Sequence, residues 1–276
     1  MTHVIASVDA HVHLHPCYDP DELFANAHAN LRAAANGLGR SRSLVCFLLF
    51  AECAADDCFG ALRALADGQS AARALSLRHW SVLPTAEDFT VVTRNGTQTL
   101  YVLAGRQIAC REGLEVLVLG TRQRFPDGRP IREILTEAAA LGVPRVIPWG
   151  PGKWFFRRGR LLRELLEEFR SPTLFLGDEG GRPAFWGYPG HFLEAARLGV
   201  RDLPGTDPLP FPHDVSKVGR MGFRVPIALD ERTPGASLLR ALTSRGVTLE
   251  RFATLESPLR FVRNQIGMQL RKRLRA

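Results

Sequence analysis

The chain has 276 residues, of which 45% are hydrophobic and 23% charged, a composition that excludes a disordered or fibrous protein. Its length suits one large α/β barrel or two modest domains. The formal net charge of +8 favours anionic partners, although a coding bias toward arginine would give the same excess without selected binding.

Targeting and redox features are few. The longest apolar run, Ser43–Ala51, is the size of a strand, so we expect no transmembrane segment. The N-terminus lacks the pattern of a secretory signal, which makes the cytoplasm the expected compartment. The five cysteines are widely spaced and contain no C-x-x-C pair, which argues against a disulfide framework and a structural zinc site.

The first part of the chain predicts alternating strands and helices. A short strand at Val4–Val8 is followed by a helix beginning at Pro20, whose apolar residues recur at helical spacing. A buried strand, Leu44–Phe50, then precedes a helix over Asp56–Ala74. Short strands follow between residues 81 and 120, with Asn95-Gly96 as a hairpin turn signal.

The second part of the chain predicts a regular alternation of strands and helices. The predicted elements are helix Ile131–Leu141, strand Arg145–Pro148, helix Gly159–Phe169, strand Thr173–Leu176, helix His191–Leu198 and strand Val200–Pro204. Parallel strands with crossover helices follow from this pattern. About seven such units predict a distorted TIM-like (β/α)7 barrel over residues 1–222, with an inserted β-hairpin.

Residues 223–276 are predicted to form a C-terminal helical extension with a basic tail. It contains a helix at Ser237–Arg245 and a strongly basic amphipathic helix from about Leu259 onward. One interpretation is that the last helix packs on the barrel, with arginines complementing its dipole. The alternative is peripheral contact with a membrane or with nucleic acid.

The motif Asp9-Ala-His11-Val-His13 follows the first predicted strand directly. Residues two apart on a strand share a face, so both imidazoles would point into one site. Such a pair suits zinc, manganese or iron, and Asp9 could add a carboxylate or orient a histidine. The alternative is a set of solvated loop histidines.

A second candidate lies at Gly205-Thr206-Asp207, where a later strand ends in a small turn and a carboxylate. Barrel sites form at the C-terminal ends of strands, so Asp207 would meet His11 and His13. Asp207 is therefore a candidate metal ligand or catalytic base. The alternative is a turn or capping residue.

Three separated blocks resemble the polymerase and histidinol phosphatase (PHP) superfamily. They are His11-Val-His13, the segment from Gly105 to Gly120, and Ala195–Asp207 with Val218-Gly219 after it. The resemblance implies a distorted seven-stranded β/α barrel and a two- or three-metal site that hydrolyses phosphate esters. An amidohydrolase-like barrel, which also begins with H-x-H, is the runner-up.

The departures from the PHP pattern argue against a complete three-metal site. Gln107 stands where the family usually has a bridging glutamate, and Glu115 stands where it has a histidine. Glu52 lies near a missing Asp-His pair and could give one oxygen to a metal. Further candidates are Asp178, Glu179 and His213. The remaining ligands suit one divalent ion better than three, and a degenerate site would hold none.

Two basic, aromatic loops follow predicted strand ends on the same side of the barrel. One contains Trp149 and Lys153, and the other contains Arg182. Lysine and arginine could bind a phosphate or carboxylate, and tryptophan could form a wall for a sugar or a base. Surface ion pairs and buried packing are the alternatives.

Together these features favour a PHP-like metal-dependent hydrolase that acts on a phosphorylated or otherwise anionic small molecule. His11, His13, Asp207 and Glu52 would hold the metal, with Asp207 and Glu115 as catalytic groups. Lys153, Arg182 and Trp149 would bind substrate. The alternative is a catalytically degenerate barrel that serves as an anion-binding or protein-interaction module.

Overall fold

The computed structural model describes residues 1–35, 43–69 and 75–275. The end of the helix predicted over Asp56–Ala74 lies outside these residues, and its described part is Cys58–Ala66. Within the described ranges, every helix is too short or too polar to cross a membrane.

The first sheet has seven strands of mixed direction. They lie in the order β12-β11-β1-β2-β5-β4-β3. Their bounds are β1 Thr2–Val12, β2 Leu44–Phe50, β3 Ser81–Pro84, β4 Thr90–Asn95, β5 Gln98–Leu103, β11 Met221–Leu229 and β12 Glu250–Ala253. The Asn95-Gly96 hairpin is confirmed, because Asn95 pairs with Gln98 across the β4–β5 turn and Gly96 takes the positive φ that this turn requires.

The second sheet has five strands in the order β10-β9-β8-β7-β6. Their bounds are β6 Gly105–Ala109, β7 Glu115–Leu119, β8 Arg145–Pro148, β9 Leu174–Gly177 and β10 Arg201–Asp202. Strands β8, β9 and β10 run parallel, whereas β6 and β8 are antiparallel to β7. The parallel part is where the crossover helices were expected.

Within the part of the chain that the structure describes, seven α-helices flank the sheets. Their bounds are α1 Pro20–Ala33, α2 Cys58–Ala66, α3 Ile131–Ala140, α4 Phe156–Phe169, α5 Gly190–Arg197, α6 Pro234–Thr243 and α7 Pro258–Arg275. Helix α1 begins where the sequence favours it, since Asp19 accepts a hydrogen bond from the Asp21 backbone and Pro20 occupies the first turn. A 3₁₀ helix spans Pro212–Lys217.

Among the described residues, apolar side chains form three clusters that follow the layers of the fold. One lies between the two sheets and joins β1, β2, β9 and β11 through residues such as Val8, Phe47, Phe175 and Phe223. A second packs α3, α4 and α5 on the second sheet. The third packs α1 and α2 on the first sheet. Burial of both faces explains the nearly continuous apolar strands of the sequence.

The prediction of a closed (β/α)7 barrel is wrong: the described residues form two mixed sheets without a continuous ladder around them. The reason lies in strand edges that are already occupied. Strand β1 pairs with β2 on one side and with β11 on the other, and β2 pairs on its far edge with β5 of the inserted hairpin. Strands β10 and β6 therefore meet β1 and β2 only through isolated contacts at the strand ends.

The predicted boundary between residues 222 and 223 falls inside β11. This strand pairs with β1 at seven consecutive positions, from Thr2↔Leu229 to Val8↔Phe223. The C-terminal part therefore contributes two strands, β11 and β12, to the first sheet in addition to helices α6 and α7.

Candidate functional site

A β-bulge near the end of β1 sets the direction of the two histidines. Asp9 pairs with Leu48 and Val12 with Phe50, so β1 has one more residue than β2 over this interval. Before the bulge, Val8 and Ala10 face the core between the sheets, and after it Val12 faces helix α1. The extra residue thus changes the alternation, and both His11 and His13 are buried.

Asp207 is brought to these histidines by the segment that follows β10. Its backbone nitrogen donates to the His11 carbonyl at 2.8 Å. Gly205 lies so close to β1 that a Cβ there would sit 2.3 Å from the His11 nitrogen, so only glycine fits. Asp207 has a φ of 45°, in the left-handed region that aspartate tolerates better than most residues. Such backbone strain is common at functional sites.

The three predicted side chains converge on one point. The Nε2 atoms of His11 and His13 lie 3.1 Å apart, and Oδ1 of Asp207 lies 3.5 Å from the first and 3.2 Å from the second. Gln107 Oε1 is 2.9 Å from Nε2 of His11. The sequence prediction that His11, His13 and Asp207 come together therefore agrees with the structure.

These distances fit the ligand shell of a small divalent ion. A tetrahedral ion with metal–ligand bonds of about 2.0–2.1 Å holds its ligand atoms about 3.3–3.4 Å apart. The observed separations between the two Nε2 atoms and Asp207 Oδ1 run from 3.1 to 3.5 Å. Two imidazoles and a carboxylate are also the donor set that zinc, manganese and iron accept.

The electrostatics at this cluster favour the neutral, metal-binding form of His11. Burial lowers the pKa of His11 below its ordinary value, against the opposing charge of Asp207. A neutral imidazole is the form that binds metals, so protons compete weakly there at neutral pH. Although burial works against ionisation of Asp207, the facing His11 and His13 hold its pKa well below the usual range.

Two further titratable side chains, Glu179 and Lys153, lie beside the cluster. Burial and the neighbouring Asp207 carboxylate raise the pKa of Glu179 well above its usual value. Lys153 Nζ lies 2.5 Å from Glu115 Oε2. Burial opposes the charged form of Lys153, but Glu115 and Glu179 outweigh it and raise the pKa of the ammonium. Lys153 and Glu115 thus stand together as a charged pair near Asp207.

Three of the other predicted residues have different partners. Glu52 accepts a hydrogen bond from the Phe59 backbone and pairs with Arg106 at 2.9 Å. Arg182 binds both oxygens of the buried Asp178 carboxylate, at 2.8 and 2.9 Å. Trp149 is buried against Trp186. The structure brings none of these three into the histidine cluster.

The further candidates, Asp178, His213 and Glu179, also differ in whether they interact with the cluster. Asp178 is fully engaged by Arg182 and by Arg251, whose guanidinium lies 2.5 Å away. His213 is half-exposed and lies beside Asp214 and Arg263. Of these extra candidates, Glu179 interacts with Asp207, whose carboxylate raises the pKa of Glu179.

Two clefts flank the cluster. One of about 790 Å³ is lined in part by His15, Tyr18 and Asp56, and His15 stacks on His13 with 5.3 Å between ring centroids. The other, of about 230 Å³, is lined by Gln107 with Arg106 and Arg124 among its neighbours. The larger cleft is within the size range of small-molecule pockets.

Sequence reasoning missed the role of two residues. Thr206 donates to Asp9, and Gln107 contacts His11 directly, whereas the sequence indicates only that Gln107 replaces a carboxylate. The signal for Thr206 was its position between Gly205 and Asp207 in a strand-end turn. No comparable local signal marks Gln107, whose contact with His11 spans 96 positions.

Comparison with known proteins adds little. No protein-family model matches the chain, and no curated protein matches it. Among solved structures, the chain is similar to the crystal structure of PsfC from Pseudomonas syringae PB-5123. The TM-score is 0.47 at 15% sequence identity, over 98% of this chain and 99% of that chain. This likeness is too distant to inform the function.

Proposed function

We propose that the chain binds one divalent metal ion through His11, His13 and Asp207, and that it hydrolyses an ester of an anionic small molecule, such as a phosphate ester. The observation that carries this proposal is the convergence of two imidazole Nε2 atoms and one carboxylate oxygen within 4.8 Å of one another. Both histidines are buried, and the side chain of Asp207 is 22% exposed, so the cluster remains open to a substrate on one side.

One ion fits the neighbouring charges better than several. Gln107 presents a neutral amide oxygen at the place where a second ion would need a bridging carboxylate. Glu52 is already paired with Arg106. Lys153 supplies a fixed positive charge near Asp207, with Glu115 as its partner. This ammonium would contribute some of the charge stabilisation that a second ion gives in multi-metal phosphatases.

The chemistry divides between the ion and the side chains of the chain. When bound, a divalent ion with an open position lowers the pKa of a water molecule to near neutrality and so supplies a nucleophile. Lys153 Nζ would bind an anionic oxygen of the substrate, and Glu115 keeps that ammonium charged and in place. Gln107 Oε1 lies 2.9 Å from the same Nε2 atom of His11, so with a metal on Nε2 the amide oxygen would face the ion and would accept no hydrogen bond from the ring.

The substrate class follows from this charge balance. Lys153 and the ion together carry more positive charge than the ionised Asp207 and Glu115 carry negative, so an anionic group would be attracted. The PHP superfamily, which the sequence resembles, uses related ligands for phosphate ester hydrolysis. We infer a common origin for the histidine and aspartate positions, in a chain that keeps fewer ligands.

The test is metal content measured together with hydrolysis. The untagged protein, loaded with Mn²⁺ or Zn²⁺ and desalted, should retain about one ion per chain and hydrolyse p-nitrophenyl phosphate. His13→Ala should weaken metal affinity by more than about 100-fold, since even outer partners of ligands contribute about 10–100-fold. His3→Ala is the matched control, because His3 lies exposed on the same strand. Absence of stoichiometric metal in the loaded wild type would refute the proposal.

A second candidate function is an anion-binding or protein-interaction module without turnover. The neutral Gln107 amide in contact with His11 favours it, because a carboxylate there would serve catalysis better. This candidate predicts about one bound ion per chain and no hydrolysis across a panel of phosphate monoesters and diesters. Hydrolysis that disappears in His13→Ala and persists in His3→Ala would exclude it.

A further inference from the structure

Helix α7 packs on the body of the protein through one side. Asn264 is buried, and its amide lies 3.5 Å from the Glu256 carboxylate. Gly267 lies against the ring of Phe211, where a Cβ would come within 2.8 Å of the ring. The Arg271 guanidinium sits over the same ring, 5.4 Å from its centroid. These contacts fix which side of the helix faces the solvent.

The opposite side presents an aliphatic stripe to the solvent. The exposed fractions are 86% for Leu259, 53% for Val262, 57% for Ile266 and 54% for Leu270. At 3.6 residues per turn these four positions fall within about 80° of one another and extend along about 16 Å of helix. Single exposed aliphatic residues are ordinary, but an aligned row of four on one helix marks an interaction surface. We call this row the α7 stripe.

The charge of the helix narrows the choice of partner. The sequence Pro258–Arg275 contains six basic residues, Arg260, Arg263, Arg271, Lys272, Arg273 and Arg275, and no Asp or Glu. Arg263 lies beside the stripe and Arg273 lies beyond its C-terminal end, and both are exposed. An aliphatic row bordered by arginines fits a partner that is apolar in its interior and anionic at its surface.

We propose that the α7 stripe docks on an anionic lipid bilayer, with the helix lying in the plane of the membrane surface. The four aliphatic side chains would enter the boundary between headgroups and acyl chains, and the arginines would contact anionic headgroups. A second copy of the chain fits worse, because two α7 helices side by side would bring like charges together without any acidic partner on either helix. Nucleic acid would use the arginines but not the aliphatic row.

The proposal is independent of hydrolysis and is tested by sedimentation with vesicles. The full chain should bind vesicles of phosphatidylcholine with about 30% phosphatidylglycerol at least about tenfold better than vesicles of phosphatidylcholine alone. Replacing two members of the stripe, Ile266→Ser with Leu270→Ser, should reduce binding at least about tenfold. Arg260→Gln with Arg273→Gln should reduce it too, and should also weaken its dependence on salt.

The matched control is Leu193→Ser in α5, where Leu193 is 57% exposed, as Ile266 is. This substitution removes an equally exposed aliphatic side chain from another helix, and it should leave vesicle binding unchanged. Circular dichroism and metal content report whether each variant is folded. Equal vesicle binding by the stripe variant and the wild type would overturn the proposal. A dimer that the stripe variant breaks would assign the surface to a second copy instead. Oligonucleotide binding that Arg260→Gln with Arg273→Gln weakens, without vesicle binding, would overturn the membrane proposal and assign the helix arginines to nucleic acid.

Discussion

The carboxylate of Asp9 accepts two hydrogen bonds from Thr206, one from its backbone nitrogen at 2.8 Å and one from its hydroxyl at 2.5 Å. A third donor is the Gly219 backbone nitrogen, also at 2.8 Å. Burial raises the pKa of Asp9 to about 6 despite these donors. Asp9 therefore ties the end of β1 to the segment that carries Asp207, and it acts as a positioning residue for the histidine cluster.

The first prediction concerns Thr206→Val, which keeps the shape of the side chain but removes the hydroxyl donor. A lost hydrogen bond to a buried charged group costs about 1.5–3 kcal/mol of unfolding free energy. We expect that loss in urea unfolding of the metal-free protein, together with about tenfold weaker metal binding because Asp207 is held less firmly. Thr136→Val on the exposed surface of α3 is the control, since its hydroxyl bonds only its own helix. Unchanged metal affinity in Thr206→Val would show that Asp9 does not position Asp207.

The local elements and the histidine cluster were predictable because their signals are local. Strand β8 matches its predicted bounds, and α3 and α5 match theirs within one residue at each end. The H-x-H motif lies at the end of β1 and Asp207 lies after β10, and they meet because these strand ends are on the same side of the fold. The side of β1 on which His11 and His13 lie depends on a β-bulge, and no short sequence pattern indicates that bulge.

The sheet arrangement and the pairing of charges were not predictable. The sequence of a strand does not indicate which strands will pair with its two edges. The pairing of β11 with β1 and of β5 with β2 therefore could not be predicted. The sequence predicts Arg182 as a substrate ligand, because its loop follows a strand. In the structure, Asp178, four residues before it, binds both nitrogens of its guanidinium fork. Such an ion pair forms because both side chains are buried, and the burial of a side chain cannot be predicted from composition alone.

A second prediction follows from that pair and concerns Arg182→Gln. Both partners are buried, and removal of one leaves a buried carboxylate with only Arg251 to neutralise it. We expect a loss of about 2–4 kcal/mol in the free energy of unfolding, measured by urea denaturation. Metal stoichiometry in the folded fraction should stay at the wild-type value. Arg132→Gln, which removes exposed pairs with Glu164 and Glu168, should cost less than about 1 kcal/mol. A fully stable Arg182→Gln variant with weakened substrate binding would instead restore the role assigned from sequence.

A third prediction concerns pH and the buried His28 of α1. Burial and the nearby Arg32 lower the pKa of His28 from its ordinary value of 6.5. The unfolded chain therefore binds the proton more tightly than the folded chain does. The contribution of His28 to stability is present above pH 6.5 and is lost as the pH falls below that value.

The measurement is urea unfolding with chelator at a series of pH values between neutral and mildly acidic. The free energy of unfolding should fall less steeply with acidification in His28→Gln than in the wild type. His79→Gln is the control, because His79 is exposed. The pKa values of His11 and His15 are also lowered, so we expect the free energy of unfolding of the variant to keep some dependence on pH. Identical slopes in His28→Gln and the wild type would contradict the assignment.

The fourth prediction concerns Gln107→Glu, which changes one amide group to a carboxylate of the same length. Gln107 Oε1 lies 2.9 Å from Nε2 of His11, and a carboxylate there would add a charged oxygen beside the cluster. Divalent ions bind carboxylate more strongly than amide oxygen, so we expect at least about tenfold tighter binding of Mn²⁺ or Zn²⁺ by calorimetry. The control is Gln98→Glu on β5, which adds the same charge at the β4–β5 turn.

The number of ions bound by Gln107→Glu distinguishes two origins for the site. If the chain descends from a multi-metal hydrolase, the restored carboxylate should raise the stoichiometry from about one ion toward two, because Glu115 and Glu179 already lie near Asp207. If the cluster arose as a single-ion site, the affinity should rise while the count stays at one. Unchanged affinity in Gln107→Glu and Gln98→Glu alike would mean that the Gln107 position does not face the ion. The ligand set would then be limited to His11, His13 and Asp207.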